Sequence, residues 1–278
     1  MPELPEVEVT RRGIAAPLLG ASIQSFRMGK PLRWPLNIEP AMVAGARIGA
    51  ITRRGKYLWM PLERGAAPAG GLLLHLGMSG SLMLLAPPAI APAGVHDHFD
   101  LITDRGTLRL NDPRRFGAVL WSAALDTAPA LALLARLGPE PFDEALTPAR
   151  FHAALHTRSA AVKSVLLSGV AVVGAGNIYA CEALFLAGIH PALRADRVSR
   201  PRAERLLAAL RMVLGRALEL GGSTLRDFSD AHGVSGAYQS QAAVYGRAGL
   251  PCLRCGTPIR RVLQLQRSTF YCPVCQRR

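Results

Sequence analysis

Two Cys-x-x-Cys knuckles, Cys252-Leu253-Arg254-Cys255 and Cys272-Pro273-Val274-Cys275, stand sixteen residues apart near the end of the chain. Each knuckle turns two sulfurs to one side, and this separation suits a β-hairpin that returns the second pair onto the first, making a tetrahedral four-thiolate zinc site. So short a tail has little core of its own. A structural zinc supplies roughly 10–16 kcal/mol of apparent folding free energy. The spacing therefore predicts a zinc-held hairpin over 241–278, with Cys252, Cys255, Cys272 and Cys275 as ligands and no coordination position open for catalysis. Disulfides are the competing account, but the acidic, Pro-rich N-terminus shows no cleavable signal, and a reducing compartment disfavours them. The fifth cysteine, Cys181, lies in an apolar helical stretch and reads as a buried thiol. Between the knuckles, Arg267-Ser268-Thr269 falls where the hairpin is expected to turn, which puts Arg267 at the tip, in reach of a phosphate; a solvated arginine is the plainer alternative.

Upstream of that tail, 278 residues suffice for two or three domains. Val7, Arg11, Ile14 and Leu18 recur at helical spacing and predict a helix over Pro5–Leu19. From about Ala21 to Trp121, short runs of β-formers are broken by Gly, Pro and Asp: 46–52, 57–62, 71–76, 81–85, 98–103, 107–110 and 118–121. They predict an antiparallel sandwich or barrel with the first helix packed on it. Gly138-Pro139-Glu140-Pro141 ends an Ala/Leu-rich linker. Beyond it, helices are expected over 161–167, 178–186 and 200–219, the first two separated by a tight Gly174-Ala175-Gly176-Asn177 turn. The expected class is α+β and multidomain: 1–122 a helix and β-sandwich, 123–140 a linker, 141–240 a helical domain, 241–278 the finger. The longest uncharged run, Ser164–Cys181, carries three glycines and Asn177, which argues against a membrane span.

Charge narrows the partners. A net charge of +14, from 33 Lys plus Arg against 19 Asp plus Glu, points to a polyanion, most simply nucleic acid. The head of the chain, Met1-Pro2-Glu3-Leu4-Pro5-Glu6, adds chemistry. Removing Met1 leaves Pro2 with a free secondary amine, whose α-amino pKa of about 7.7–8.0 keeps roughly a third of it neutral near pH 7.5, against on the order of a thousandth of a Lys. Attack on a carbonyl or a sugar C1′ gives an iminium with no N–H to lose, a permanent electron sink, beside which Glu3 can move protons. Taken alone, the same residues also make an ordinary helix start.

Other stretches carry binding potential. Asn177 reads as an N-cap whose neighbouring amides can hold a phosphate, and Lys163, one helix earlier, can serve the same phosphate. Met78, in His75-Leu76-Gly77-Met78-Ser79-Gly80, and Phe116, in Asp112-Pro113-Arg114-Arg115-Phe116-Gly117, are apolar residues beside cations of the kind that enter a duplex and fill the gap left by a displaced base. Singly, each is equally a core residue.

Together the chain closely resembles the bacterial formamidopyrimidine-DNA glycosylases, helix-two-turn-helix enzymes of DNA repair. The resemblance rests on Pro2–Glu8, Lys56-Tyr57-Leu58, His75–Ser81, His96-Asp97-His98, Asp112–Gly117, Gly176–Ala180, Val244-Tyr245-Gly246-Arg247 and the four-cysteine finger. It implies Pro2 as Schiff-base nucleophile, Glu3 as general acid, Lys56 assisting β-elimination and Arg267 assisting δ-elimination. His96, Arg114 and Arg158 would contact DNA, Asn177 and Lys163 would hold phosphate, and Met78, Arg114 and Phe116 would fill the gap. Residues 223–241 correspond to a lesion-capping loop. The implied activity is excision of oxidised purines, 8-oxoguanine and formamidopyrimidines, from damaged double-stranded DNA with β,δ-elimination, by a monomeric, cytoplasmic, nucleoid-associated bacterial enzyme with one structural zinc and no small-molecule cofactor.

Two rivals compete. A sister glycosylase for oxidised pyrimidines shares the amine, carboxylate and finger, but often has Gly where this chain has Leu4. A non-catalytic zinc-ribbon protein fits the charge and the finger, and leaves the Pro2-Glu3 pair unexplained.

Overall fold

The computed structural model describes residues 2–34, 36–86, 91–223, 231 and 236–278. They fall into two compact units, 1–135 with 220–237, and 136–219 with 238–278.

In the first unit, helix α1 (Leu4–Leu18) opens from Glu3 as N-cap, and Glu6 reaches back to accept the Glu3 amide at 2.8 Å in a reciprocal capping box. Pro5 sits in the first turn, where its missing N–H costs nothing. The strands are β1 (Ile23–Met28), β2 (Arg47–Ile48), β3 (Thr52–Arg54), β4 (Tyr57–Arg64), β5 (Ala67–His75), β6 (Ser81–Leu85), β7 (Asp97–Thr103), β8 (Gly106–Asn111) and β9 (Ala118–Ser122). They pair antiparallel in two sheets, ordered β1-β7-β8-β6 and β2-β4-β5-β9, with β3 beside β4. Phe99, Leu101, Leu108 and Leu110 from one sheet and Leu58, Met60, Leu72 and Leu74 from the other share a core with Val7, Ile14 and Leu18 of α1. Alternation drives this: β4 buries every second residue from Leu58 to Leu62. A short helix, α2 (Ala130–Leu134), follows the last strand.

Strand β1 has no counterpart in the sequence prediction. Its Ile23-Gln24-Ser25-Phe26-Arg27-Met28 run is half polar without strict alternation, and it is held by pairing with β7 and by Arg27, whose Nε donates to Asp100 at 2.9 Å. Arg53 is likewise spent inside the protein, donating to Glu8 at 3.1 Å. Burial raises the Glu8 pKa, but hydrogen bonds from Arg11 and Arg12 and the charges of Arg11 and Arg53 outweigh it and carry it down to about 2.

The second unit contains α3 (Pro148–His156), α4 (Val162–Ser168), α5 (Asn177–Leu186), α6 (Arg200–Glu219) and the hairpin β10 (Arg260–Gln264) and β11 (Arg267–Tyr271). Thr147 caps α3 through its hydroxyl, and α3 and α5 both pack on α6. Cys181 and Phe185 of α5 share an apolar cluster with Val244, Cys252, Ile259, Phe270 and Cys272, so the finger is seated on the helix that carries the fifth cysteine. That cysteine is buried, as expected.

The sequence assigns 220–240 to the helical domain, whereas residues 220–237 group with the sandwich. Hydrogen bonds into that unit are the reason: the Ser223 N–H donates to the Glu6 carboxylate, and the Leu84 N–H donates to the Ala231 carbonyl. Of the expected capping loop, residues 224–230 and 232–235 lie outside the described residues, as does Met1. No helix among the described residues is long and apolar enough to cross a membrane.

Candidate active site

Pro2 is buried, immediately before the equally buried Glu3. Glu6, also buried, has both oxygens engaged by the backbone: Oε2 accepts the Glu3 amide at 2.8 Å and Oε1 accepts the Ser223 amide at 2.7 Å. A Cβ on Gly222, whose φ is +87°, would stand 3.0 Å from that same Oε1, so glycine lets the backbone close on the carboxylate. The Ser223–Ala237 bridge and the Ala237 N–H bond to Leu220 then tie the base of the 223–237 segment next to Glu6. One carboxylate thus anchors both the Glu3 amide at the head of α1 and the root of that segment. The sequence analysis gave Glu6 no such part, although the Glu3-x-x-Glu6 spacing is a capping-box signal.

Lys56 is the second residue of the two-residue Gly55-Lys56 turn between β3 and β4, where Gly55 supplies a φ of 58°. It is half-buried. Nearby, His75 packs at a tilt against Tyr57 with ring centroids 4.7 Å apart, and its Nδ1 accepts the Gly77 amide at 3.0 Å. Burial chiefly, then the cations Lys56 and Arg33, drive the His75 pKa down to about 4 against the opposing pull of Asp112. His75 is a neutral neighbour that adds no charge to compete with Lys56.

Met78 is half-buried, while Arg114 and Phe116 are exposed, with the Arg114 guanidinium 4.9 Å from the Phe116 ring centre. The turns that carry them meet: a Cβ on Gly77 (φ +63°) would lie only 2.4 Å from the Phe116 carbonyl carbon. Beneath them, fully buried Asp112 accepts Ser79 Oγ–H and the Gly117 amide, each at 2.7 Å. His96 is exposed and its carbonyl accepts the Asp112 amide at 2.9 Å.

In the second unit, three expectations are corrected. Asn177 is the first residue of α5, and Gly176 is its N-cap. The Asn177 Nδ2 instead donates to the Ser268 carbonyl at 2.9 Å and to Tyr245 Oη at 3.3 Å, and Oδ1 is buried with no partner among the described residues. Lys163 is wholly buried rather than a surface cation, its Nζ donating to Thr269 Oγ1 at 2.6 Å. The finger turns at Leu265-Gln266, both with positive φ (49° and 57°), so Arg267 opens the return strand opposite Gln264 instead of occupying the tip. Arg158 is exposed just after α3, as a DNA contact requires. Sequence reading also missed Glu182, whose carboxylate accepts the amides of Ala243, Val244 and Tyr245 at 2.8–2.9 Å and so fixes the chain that leads into the finger.

The four finger sulfurs all lie within 4.8 Å of one another, with Cys255–Cys272 at 3.5 Å and Cys252–Cys275 at 3.9 Å. Four thiolates about 2.3 Å from one zinc stand about 3.8 Å apart, so the donor set fits that ion. Hydrogen bonding from Thr257 draws Cys255 below an ordinary thiol while burial pushes Cys272 and Cys275 above it. A divalent cation resolves that conflict by taking all four as thiolates.

Comparison with known proteins agrees with this geometry. Residues 1–119 match the formamidopyrimidine-DNA glycosylase N-terminal domain, 137–229 the H2TH domain of the same enzymes, and 249–278 a zinc finger found in FPG and IleRS. The formamidopyrimidine-DNA glycosylases of Variovorax paradoxus and Acidovorax sp. are 60% and 55% identical, over the full length of both chains. Among solved structures, the MutM (Fpg) protein of Thermus thermophilus is 40% identical with a TM-score of 0.87, covering 99% of this chain and 98% of its own. Lactococcus lactis Fpg in complex with abasic-site DNA is 32% identical with a TM-score of 0.88, covering 99% and 100%.

Proposed function

From the premise that this chain belongs to the formamidopyrimidine-DNA glycosylase family, base-excision enzymes with a four-cysteine zinc finger, we propose that Pro2 and Glu3 carry its chemistry on damaged duplex DNA. The observation that carries this reading is the buried Pro2-Glu3 pair held at the start of α1 by the Glu6 carboxylate.

With Met1 removed, the Pro2 nitrogen attacks C1′ of the lesion nucleotide. The C1′–N bond to the base breaks, its electron pair leaves with the base, and the nitrogen loses its proton. Glu3, acting as general acid, supplies a proton as the sugar ring opens, which leaves an iminium joining Pro2 to C1′. The iminium makes the C2′ proton acidic. Its removal expels the 3′ phosphate, and a second elimination expels the 5′ phosphate. Lys56 assists the first elimination and Arg267 the second. His96, Arg114 and Arg158 contact DNA, the backbone amide of Asn177 at the start of α5 holds phosphate, and Met78, Arg114 and Phe116 occupy the space of the extruded nucleotide. Lys163 acts from within the protein, bracing Thr269 of the finger hairpin. Cys252, Cys255, Cys272 and Cys275 hold a zinc ion that supplies shape and no reactive position. The enzyme acts as a monomer in the bacterial cytoplasm, needing no small-molecule cofactor.

Borohydride added during turnover on 8-oxoguanine DNA tests the reading. Wild type should be trapped as a covalent adduct, Pro2→Gly should lose it, and the mature protein should begin at Pro2 by mass. Excision at full rate by a chain still blocked by Met1 overturns it.

A further inference from the structure

Asp112 and Ser79 touch nothing that reacts, yet they join the two turns that carry Met78, Arg114 and Phe116. The Asp112 carboxylate is fully buried and bidentate: Oδ1 accepts Ser79 Oγ–H at 2.7 Å from the turn after β5, and Oδ2 accepts the Gly117 amide at 2.7 Å from its own turn. Ser79 closes the loop, its Oγ accepting the Arg114 amide at 3.2 Å. The Asp112 carbonyl accepts the Arg115 amide at 3.0 Å, and Arg115 holds a left-handed φ of 55° that this loop must enforce on a residue with a Cβ. Gly77 and Phe116 meet so closely that no side chain fits at 77. Two sequence-distant turns are therefore stapled by one buried charge, and a buried charge-assisted acceptor of this kind fixes geometry more firmly than neutral bonds do.

We infer that Asp112, acting through Ser79, is a positioning residue that sets Met78 and Phe116 as one rigid wedge, and so governs how well the enzyme extrudes a paired, stacked lesion. This rests on the gap-filling reading of Met78 and Phe116. An abasic nucleotide has no base to unstack, so its extrusion costs least. The clamp should therefore matter for intact lesions and much less for preformed abasic sites.

Asp112→Asn keeps the shape but offers one carbonyl oxygen where the carboxylate offers two, so either Ser79 or Gly117 loses its acceptor and faces an NH2 group. Ser79→Ala is the milder variant should Asp112→Asn fold poorly. Single-turnover excision of 8-oxoguanine should fall roughly 10- to 100-fold in either, as for any sub-ångström misplacement of a positioned group. Cleavage of abasic DNA should fall by less than about threefold. A 2-aminopurine beside the lesion should report slower opening of the duplex. Met78→Ala should show the same selective loss, and adding it to Asp112→Asn should cost little more, because the wedge is already misplaced. Equal loss on both substrates, or fully multiplicative effects in the double variant, overturns the clamp. Selective loss in Met78→Ala with none in the clamp variants overturns the clamp alone, whereas unchanged excision in Met78→Ala removes the wedge reading and the clamp with it.

Discussion

At the head of the chain, Pro2 and Glu3 lie buried in a unit whose core draws side chains from two sheets and α1; at the tail, Leu253, Leu263, Leu265 and Val274 stay exposed around four clustered sulfurs. The first region holds Pro2 and Glu3 by burying apolar surface and by giving every buried carboxylate oxygen named above a backbone or side-chain donor. The second has too little core to do so and relies on a metal, plus a seat on α5. Perturbations that spare one should therefore cripple the other.

Removing the metal is the strongest way to break that contrast. Chelation or Cys272→Ser should forfeit roughly 10–16 kcal/mol of apparent folding free energy in the finger. Amide exchange protection over 260–271 should vanish while that of α1 and the sandwich strands persists. Retained protection in the finger of a metal-stripped chain would show that packing on Cys181 and Phe185 suffices.

Glu3→Gln probes the other end. Glutamine can still accept the Glu6 amide, so the melting temperature should hardly move, while loss of a positioned general acid should lower excision about 10²- to 10⁴-fold, or about 3–5 kcal/mol in the barrier. A large fall in melting temperature with little kinetic effect would make Glu3 a structural cap.

What was legible before the structure follows the same division. Strands with strong alternation, such as Tyr57–Leu62, and helix α6 at Arg200–Glu219 stand in the local pattern, as does the cysteine spacing. What was hidden depends on partners far along the chain. Ile23–Met28 lacks the strict alternation that marks a strand until β7 pairs with it and Asp100 stands opposite Arg27. Lys163 looks like a surface cation until Thr269, 106 residues on, accepts its hydrogen bond. Asn177 looks like a cap until the finger's Ser268, 91 residues on, claims its amide. Motifs announced which residues matter; long-range hydrogen bonds decided what several of them do.

Acid sharpens the comparison within the sandwich unit. His75 has a folded pKa of about 4, below its usual 6.5, so it binds its proton more weakly folded than unfolded. Its contribution is complete above about pH 6.5 and is lost as pH falls towards 4, at most about 3 kcal/mol. Glu8, lowered from 4.5 to about 2, acts in a separate window: its contribution is complete above about pH 4.5 and is lost below it. His75→Gln should flatten the first slope in urea melts and leave the second. A wild-type stability that does not change between pH 6.5 and 4.5 would contradict the neutral, buried imidazole.

The smallest expected effect lies in the second unit, at the hydrogen bond between helix α4 and the finger. Thr269→Val keeps the side-chain volume and removes the oxygen that Lys163 Nζ reaches at 2.6 Å, leaving a fully buried ammonium one acceptor short. The loss of an acceptor from a buried donor costs about 1–3 kcal/mol, less than removing the metal or the general acid. Because that bond links α4 to strand β11, the penalty should appear in the melting of the helical unit and the finger together, even with zinc saturating. Lys163→Met removes the charge along with its need for a partner, so it should cost less than Thr269→Val in stability, and the double variant should recover most of the loss. If Thr269→Val proves neutral while Lys163→Met is damaging, the ammonium is supported by its other contacts and Thr269 is a bystander.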